Sequence, residues 1–178
     1  MVKIVVIIVV VIVMGVLVYA STKPNTFSIV RKIKIKASPE KVFAEINNFK
    51  QWKLWSPWEV KDPDMQRTYS GTASGVGTIY EWSGNNNVGQ GRMELTESIA
   101  PQKIVIQLDF FKPFEAHNIA EFTFVQEGDA TLVTWEMRGP QMFMSKLMCI
   151  FMDMDKMVGS DFEAGLMNLK KLAETNSD

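Results

Sequence analysis

Three tryptophans lie within seven residues of one another, at positions 52, 55 and 58 of the segment from Asn47 to Trp58. Indole is too large and too apolar to leave in water without reason, so three together require a deep apolar surface that they line or fill. The segment follows a predicted helix and precedes a series of predicted strands. Two interpretations stay open: Trp52, Trp55 and Trp58 are ordinary core residues, or some of them line the wall of a ligand cavity.

The N-terminus imposes a second constraint, because Ile4 to Ala20 form an uncharged and almost wholly apolar run. A helix of this length covers roughly 26 Å, which approaches the ~30 Å hydrocarbon thickness of a bilayer. Lys3 and Lys23 flank the run, where their side chains can reach the two interfaces. We therefore predict a single-pass membrane anchor. A cleaved signal stays open, because the small residues of Val18-Tyr19-Ala20 suit a signal peptidase, and the product is then secreted or periplasmic.

The chain divides into three predicted segments. Residues 1–22 form the anchor or signal, residues 23–27 a linker, and residues 28–176 a single folded domain. The whole chain has 19 basic and 20 acidic side chains, so it offers no positive excess with which to bind nucleic acid. Cys149 is the one cysteine, which excludes an internal disulfide.

Alternating hydrophobicity predicts an antiparallel sheet of about seven strands. The first strand begins at Phe27, and we assign its Arg31 to the wet face together with the lysines that follow. Glycine, proline and asparagine mark the turns between the later strands. Those six strands are predicted at Met65–Ser70, Thr78–Ser83, Val88–Ser98, Lys103–Phe111, Glu115–Gln126 and Thr131–Arg138.

Two short helices are predicted between the first and second strands. Ser38-Pro39-Glu40 is a strong helix start, because Ser38 can cap the helix and Pro39 fits its first turn. A second helix is predicted from Phe49 to Trp55, and Ser56-Pro57 is expected to end it.

Inward-pointing positions follow from the phase of each strand. Apolar residues dominate them, and Asn118 is the polar exception, in phase with Ala120 and Phe122. A buried amide requires a partner, which can be another side chain, water or a ligand. Tyr80, on the same predicted face as Trp82, is the other polar group able to orient a guest.

A long C-terminal helix is predicted to cover the inward face of the sheet. Its apolar stripe recurs every three or four residues, at Leu147, Phe151, Met154, Val158, Phe162, Leu166, Leu169 and Leu172. Gly159 and Gly165 are unfavourable inside a helix, so we expect another surface to approach closely there. The prediction is an α+β fold in which a curved sheet surrounds one long helix and leaves an apolar hollow between them.

The chain resembles the SRPBCC superfamily, the START-like or helix-grip proteins, and within it the polyketide cyclase/dehydrase and lipid-transport group. The segments SPEKVFAEINNFKQWKLWSPW, GVGTIYEW, GNNNVGQGRMEL, VTWEM and FMDMDKMVGSDFEAGLMNLKKL carry this resemblance, which extends from about Phe27 to Glu174. It implies a helix-grip (START/Bet v1-like) fold with a cavity between sheet and helix. It also implies a hydrophobic small molecule or lipid as ligand in many members, and catalysis in some.

Catalytic chemistry finds little support in the sequence. His117, the one histidine, is in phase with outward-pointing residues, and Cys149 lies in an apolar stretch typical of a buried thiol. No catalytic residue, metal ligand or cofactor is therefore assigned. The ligand-binding residues predicted for a cavity are Trp52, Trp55, Trp58, Tyr80, Trp82, Met93, Phe110, Asn118, Phe122, Trp135, Phe151, Met154 and Phe162.

Three functions remain in competition. The first is a membrane-tethered module whose internal cavity binds a lipid or other hydrophobic small molecule. The second is a cyclase/dehydrase-type enzyme on a polyketide-like substrate, in which Tyr80, Asn118 or an inward carboxylate moves protons. The third is a non-catalytic interaction or stress-response protein that uses the tryptophan segment as an interface.

Overall fold

The computed structural model describes residues 2–175, without the side chain of Phe151. Position 176, where the predicted domain ends, therefore lies outside the described residues. The strands are β1 (Thr26–Ile35), β2 (Gln66–Gly71), β3 (Thr78–Ser83), β4 (Gln90–Ile99), β5 (Lys103–Lys112), β6 (Ala116–Glu127) and β7 (Ala130–Pro140). The helices are α1 (Val2–Ser21), α2 (Pro39–Asn47), a 3₁₀ helix (Phe49–Leu54), α3 (Pro57–Lys61), α4 (Phe143–Phe151) and α5 (Met154–Thr175).

The seven strands form one antiparallel sheet in the order β1-β7-β6-β5-β4-β3-β2. Strands β2 to β7 lie next to one another in chain order, and β1 pairs with β7 at the other edge of the sheet. One face of this curved sheet is covered by α2, the 3₁₀ helix and α5. We call it the covered face. The predicted helix-grip architecture and all seven predicted strands are confirmed.

The connection between β1 and β2 contains one helix more than predicted. Ser38 caps α2 as expected, since its Oγ accepts a hydrogen bond from the amide of Lys41 at 3.4 Å. Pro57 does follow the end of the 3₁₀ helix, but it also begins α3. The predicted end of the helix before Pro57 is confirmed, and α3 is an element that the sequence analysis did not predict. Proline can begin this helix because at a first helical position it costs no hydrogen bond.

The predicted single C-terminal helix is two helices, α4 and α5, separated at Met152 and Asp153. The Asp153 carboxylate accepts a hydrogen bond from the amide of Lys156 at 3.0 Å, and so caps the start of α5. Because the apolar spacing continues through the break, periodicity alone could not locate it. The Asp153 cap marks where α5 begins.

Arg31 lies on the covered face, which corrects its assignment to the wet face. It is in phase with Ile29 and Ile33, and its guanidinium crosses to α5, where it bonds Asp155 at 2.9 Å and Glu163 at 2.7 Å. These two carboxylates raise the pKa of Arg31. The guanidinium lies against Gly159, where a β-carbon would collide with it. The expected close approach at Gly159 is therefore confirmed, and an ion-paired arginine is its cause.

The packing of α5 on the sheet depends on Phe162, which is 1% exposed. Phe162→Ala removes a buried ring, and we expect the free energy of unfolding to fall by about 3–5 kcal/mol. Met167→Ala is the matched control on the exposed side of the same helix, with an expected change within about 0.5 kcal/mol. Urea unfolding of the full chain in a mild detergent measures both. Equal losses would show that the ring contributes no more than an exposed side chain.

Candidate ligand-binding site

Six of the predicted site residues form one continuous aromatic cluster on the covered face. Trp135 is its centre: the Phe162 ring stacks on it at 4.0 Å with an interplanar angle of 4°, and Phe122 lies 4.8 Å away on β6. Trp52, Trp55 and Trp58 surround the same ring at 6.4, 5.8 and 5.9 Å. The tryptophan segment thus packs between sheet and helix. Trp52 and Trp55 are buried, which excludes them from a protein interface while the domain is folded.

Direct contact between Trp135 and Phe162 means that sheet and α5 do not stand apart at this level. The prediction of a hollow there was wrong, because the indole and phenyl rings fill the space. Two open surface pockets of residues 2–175 lie elsewhere. One, of about 450 Å³, is lined by residues 149–155 except Phe151, and the other, of about 230 Å³, lies beside Tyr69 and the loop that follows it.

A second group of predicted site residues extends the aromatic surface across β3, β4 and β5. Tyr80 and Trp82 are 6.0 Å apart, and Trp82 meets the edge of Phe110 at 5.7 Å. Met93 is buried opposite Tyr80 on the neighbouring strand. Phe49, which the sequence did not single out, links the two groups by contacting Trp52 at 5.4 Å and Tyr80 at 6.3 Å.

Two predicted site residues are not part of this surface as described. Met154 begins α5 and is half-exposed, and it lines the 450 Å³ pocket at the junction with α4. Phe151 belongs to α4, and its side chain lies outside the described residues. Both had been assigned to the inner stripe of one continuous helix, and the break after α4 removes the basis of that assignment.

The polar cluster of this interior joins Tyr80 to two residues that the sequence did not assign. The Tyr80 hydroxyl donates to the Glu59 carboxylate at 3.1 Å, and Arg67 donates to the same carboxylate at 2.7 Å. The side chains of Glu59 and Arg67 are 10% and 15% exposed. Because Glu59 belongs to the unpredicted helix α3, its position facing β2 and β3 could not be anticipated.

The Glu59 cluster is better suited to hold structure than to move protons. Burial raises the pKa of Tyr80, and the adjacent Glu59 carboxylate raises it further. The phenol therefore keeps its proton at neutral pH and serves as a hydrogen-bond donor. Arg67, which holds Glu59 in an ion pair, supplies the compensating charge.

Four buried side-chain atoms of the described residues have no hydrogen-bond partner: Asn118 Oδ1, Trp135 Nε1, Tyr69 OH and Glu45 Oε2. Burial raises the pKa of Glu45, against the influence of Lys41. Asn118 and Trp135 both lie on the covered face, with 5% and 2% exposure. The inward orientation predicted for Asn118 is confirmed, and its possible role toward a ligand stays a prediction. An unpaired buried acceptor is costly, so this amide oxygen requires an explanation.

Asn118 lies near the end of the sheet where the covered face is least protected. Its register partner is Leu108, and two residues further along Phe110 pairs with Ala116. Leu108, Phe110 and Ala116 are all half-buried, in contrast to Ile104 and Ile106 deeper on the same strand, which are fully buried. The interior is thus closed under α5 and more open beyond Asn118.

A seven-stranded antiparallel sheet that curves around one long C-terminal helix defines a helix-grip protein. A family model described as polyketide cyclase/dehydrase and lipid transport matches residues 26–174. The chain therefore belongs to this family. No curated protein matches it.

Solved structures share the fold at low sequence identity. The Aha1 dimer from Colwellia psychrerythraea is similar with a TM-score of 0.61 and 20% identity, over 85% of this chain and 99% of that one. The di-domain ARO/CYC proteins BexL, of the BE-7585A biosynthetic pathway, and StfQ, of the steffimycin pathway, each give a TM-score of 0.63. Their identities are 14% and 8%, over 88% and 86% of this chain and 53% and 52% of theirs. These likenesses establish the common architecture.

Removing Arg67 tests whether the polar cluster is structural. Arg67→Met leaves the Glu59 carboxylate buried without its cation, and we expect a loss of about 3 kcal/mol in the free energy of unfolding. Tyr80→Phe removes one hydrogen bond and costs about 1 kcal/mol. Arg92→Met, which breaks the more exposed pair with Glu94, is the control and costs less than about 1 kcal/mol. Urea unfolding ranks the three, and an Arg67 effect no larger than that of Arg92 would contradict the assignment.

Proposed function

We propose that the domain binds a hydrophobic small molecule or lipid between its sheet and α5, and that α1 tethers it to a membrane. The observation that carries the proposal is the Asn118 amide oxygen, buried and unpartnered on the covered face. Membership in a family described by lipid transport supports it. A hydroxyl or amide of the ligand would supply the missing donor.

Trp135 adds a second polar point at a fixed spacing from the first. Its Nε1 is a donor without partner, whereas Asn118 offers an acceptor. Trp135 is paired with Phe122, four residues after Asn118 on β6, so the backbone positions of the two residues are about 13 Å apart along the strand. An acceptor and a donor carried at separated positions favour an elongated ligand with more than one polar group.

Entry requires the interior to open, because rings fill the space beneath α5. The half-buried residues beyond Asn118, Leu108 and Phe110, mark the end where this displacement meets the fewest buried contacts. A ligand bound at this end would replace contacts between side chains with contacts between those side chains and itself. Methionines near the end, such as Met93 and Met137, can adapt to it because the unbranched thioether has several accessible rotamers.

The membrane part of the proposal rests on α1. This helix has 20 residues, is long and apolar enough to cross a bilayer, and is almost wholly exposed. A signal sequence near the N-terminus has the same properties. The retained anchor is favoured by the contact between α1 and α4, since α4 presents an apolar surface that matches it.

An enzyme of the cyclase/dehydrase type is the second candidate, and the Glu59–Tyr80–Arg67 cluster is the observation that favours it. Such an enzyme would fold a reactive chain against the aromatic surface and use Glu59 or Tyr80 in proton transfer. The raised pKa of Tyr80 and the ion pairing of Glu59 both oppose that use. We rank ligand binding first for this reason.

Asn118→Leu separates a ligand contact from a structural one. Replacing an unpaired buried amide by an apolar side chain of similar size should raise the stability of the ligand-free domain by about 1 kcal/mol or more. The same change should lower retention of the co-purified ligand by roughly 3- to 10-fold, the worth of one hydrogen bond. Native mass spectrometry of the full chain, followed by organic extraction, measures retention.

Thr123→Val is the matched control for this variant, because Thr123 lies on the opposite face of the same strand. It should leave ligand retention unchanged. The proposal fails if the protein purified from cells carries no ligand. It also fails if Asn118→Leu retains as much ligand as the original chain.

Retention of α1 is tested in the membrane fraction. The full chain should resist alkaline carbonate extraction and keep Val2–Ser21 in its mature sequence, as determined by mass spectrometry. Ile8→Lys with Ile12→Lys should abolish integration, since each central lysine costs about 2.5–3.5 kcal/mol, whereas Ile8→Leu with Ile12→Leu should not. A mature chain that begins after Ala20 would identify a signal peptide.

A further inference from the structure

We propose that the end of the sheet nearest α1 docks onto the lipid bilayer through the β5–β6 hairpin and α4. This inference rests on the tether of the proposed function and adds a partner for a specified surface. We call this end the tether end. It is the end where β1 begins and β7 finishes, with Thr26 paired to Pro140.

Strand register places the β5–β6 hairpin at the same end. Ile119 of β6 pairs with Arg138 of β7, so β7 runs two further residues to its end at Pro140. In the same direction β6 extends back three residues from Ile119 to Ala116, where it meets Phe110 of β5. The turn between β5 and β6 therefore projects beyond the tether end of the sheet.

The hairpin exposes two phenylalanines. Phe111 is 46% exposed and Phe114 is 63% exposed, and the segment between them consists of Lys112 and Pro113. Exposing phenyl rings to water at a projecting turn costs free energy in proportion to the apolar area exposed. An aromatic and lysine pair of this kind suits the boundary between headgroups and acyl chains.

Helix α4 supplies a second apolar surface at the tether end. The residue after β7, Gln141, donates its amide to the carbonyl of Asn25 in the linker at 2.7 Å, and Lys146 of α4 donates to the Asn25 side chain at 2.6 Å. At the start of this helix Phe143 and Met144 are 48% and 59% exposed. Helix α4 is thus held beside the chain that leaves α1, with Phe143 and Met144 exposed at its start.

Continuity with α1 identifies the bilayer as the occupant of this surface. Helices α1 and α4 are in contact, and Ala20, in the last turn of α1, is fully buried. Four residues separate Ser21 from Thr26, a span of at most about 17 Å. When α1 crosses a membrane, the tether end is held at its surface, where the exposed side chains of the hairpin and α4 reach lipid.

Docking in this orientation would also decide where a ligand enters. The half-buried residues Leu108 and Phe110 belong to the strand that leads into the hairpin, at the tether end of the covered face. A lipid leaving the bilayer would meet this less protected end directly, without crossing water. Beside the hairpin, His117 lies between two carboxylates, Asp109 at 2.8 Å and Glu115 at 3.4 Å.

Site-specific fluorescence quenching tests the docking. Each single-cysteine variant is built on Cys149→Ser, labelled with an environment-sensitive fluorophore and reconstituted as the full chain in phosphatidylcholine vesicles that contain a spin-labelled phosphatidylcholine. Phe114→Cys and Met144→Cys report the docking surface, and Val9→Cys reports α1. Val125→Cys is the matched control, 54% exposed and at the far end of β6, roughly 30 Å along the strand from the hairpin.

We expect loss of fluorescence at positions 114 and 144 to approach that at position 9, with none at position 125. If the label at position 9 is quenched but the label at position 114 is no more quenched than the control at position 125, the docking is overturned and the tether stands. A label at 114 that is shielded from water yet insensitive to the lipid-borne quencher means that a second copy covers the hairpin, which also overturns it. An unquenched position 9 refutes the tether and the docking together, whereas ligand retention is measured separately.

Discussion

The stack of Phe162 on Trp135 is the contact on which the rest of the domain depends. It joins α5 to β7, the strand next to edge strand β1, with the two rings 4.0 Å apart. The three tryptophans of the connection after β1 surround this pair. Large aromatic rings remove much apolar area from water, and edge-to-face neighbours add to that stabilisation. The position of α5 therefore follows from which rings face Trp135.

The rings that fill the interior leave some buried polar atoms without hydrogen bonds. Asn118 and Trp135 each keep a buried polar atom without partner, while Glu59, Tyr80 and Arg67 satisfy one another a short distance away. The paired cluster stabilises the fold, and the two unpaired atoms lower its stability. In the proposed function, a ligand that bonded these atoms would recover that loss.

Local patterns predicted the strands and the α2 cap well, because alternation and capping depend on neighbouring residues. They failed where distant partners decide. Arg31 was placed with the lysines of β1, although its phase matches Ile29, because an arginine inside a sheet–helix layer is expected only when carboxylates such as Asp155 and Glu163 are known to meet it. The break before α5 was hidden by an apolar spacing that continues through it.

The sequence by itself determined the run of strands before a long helix, the apolar N-terminal helix and the inward position of Asn118, since periodicity and composition act within single elements. The helix-grip class followed from the resemblance to a known family. Only the tertiary structure decided that the tryptophans fill the interior, that Glu59 faces Tyr80, and that the β5–β6 hairpin shares an end with α1 and α4. Those facts depend on strand register and on how helices settle on the sheet, and both are set by contacts between residues far apart in the chain.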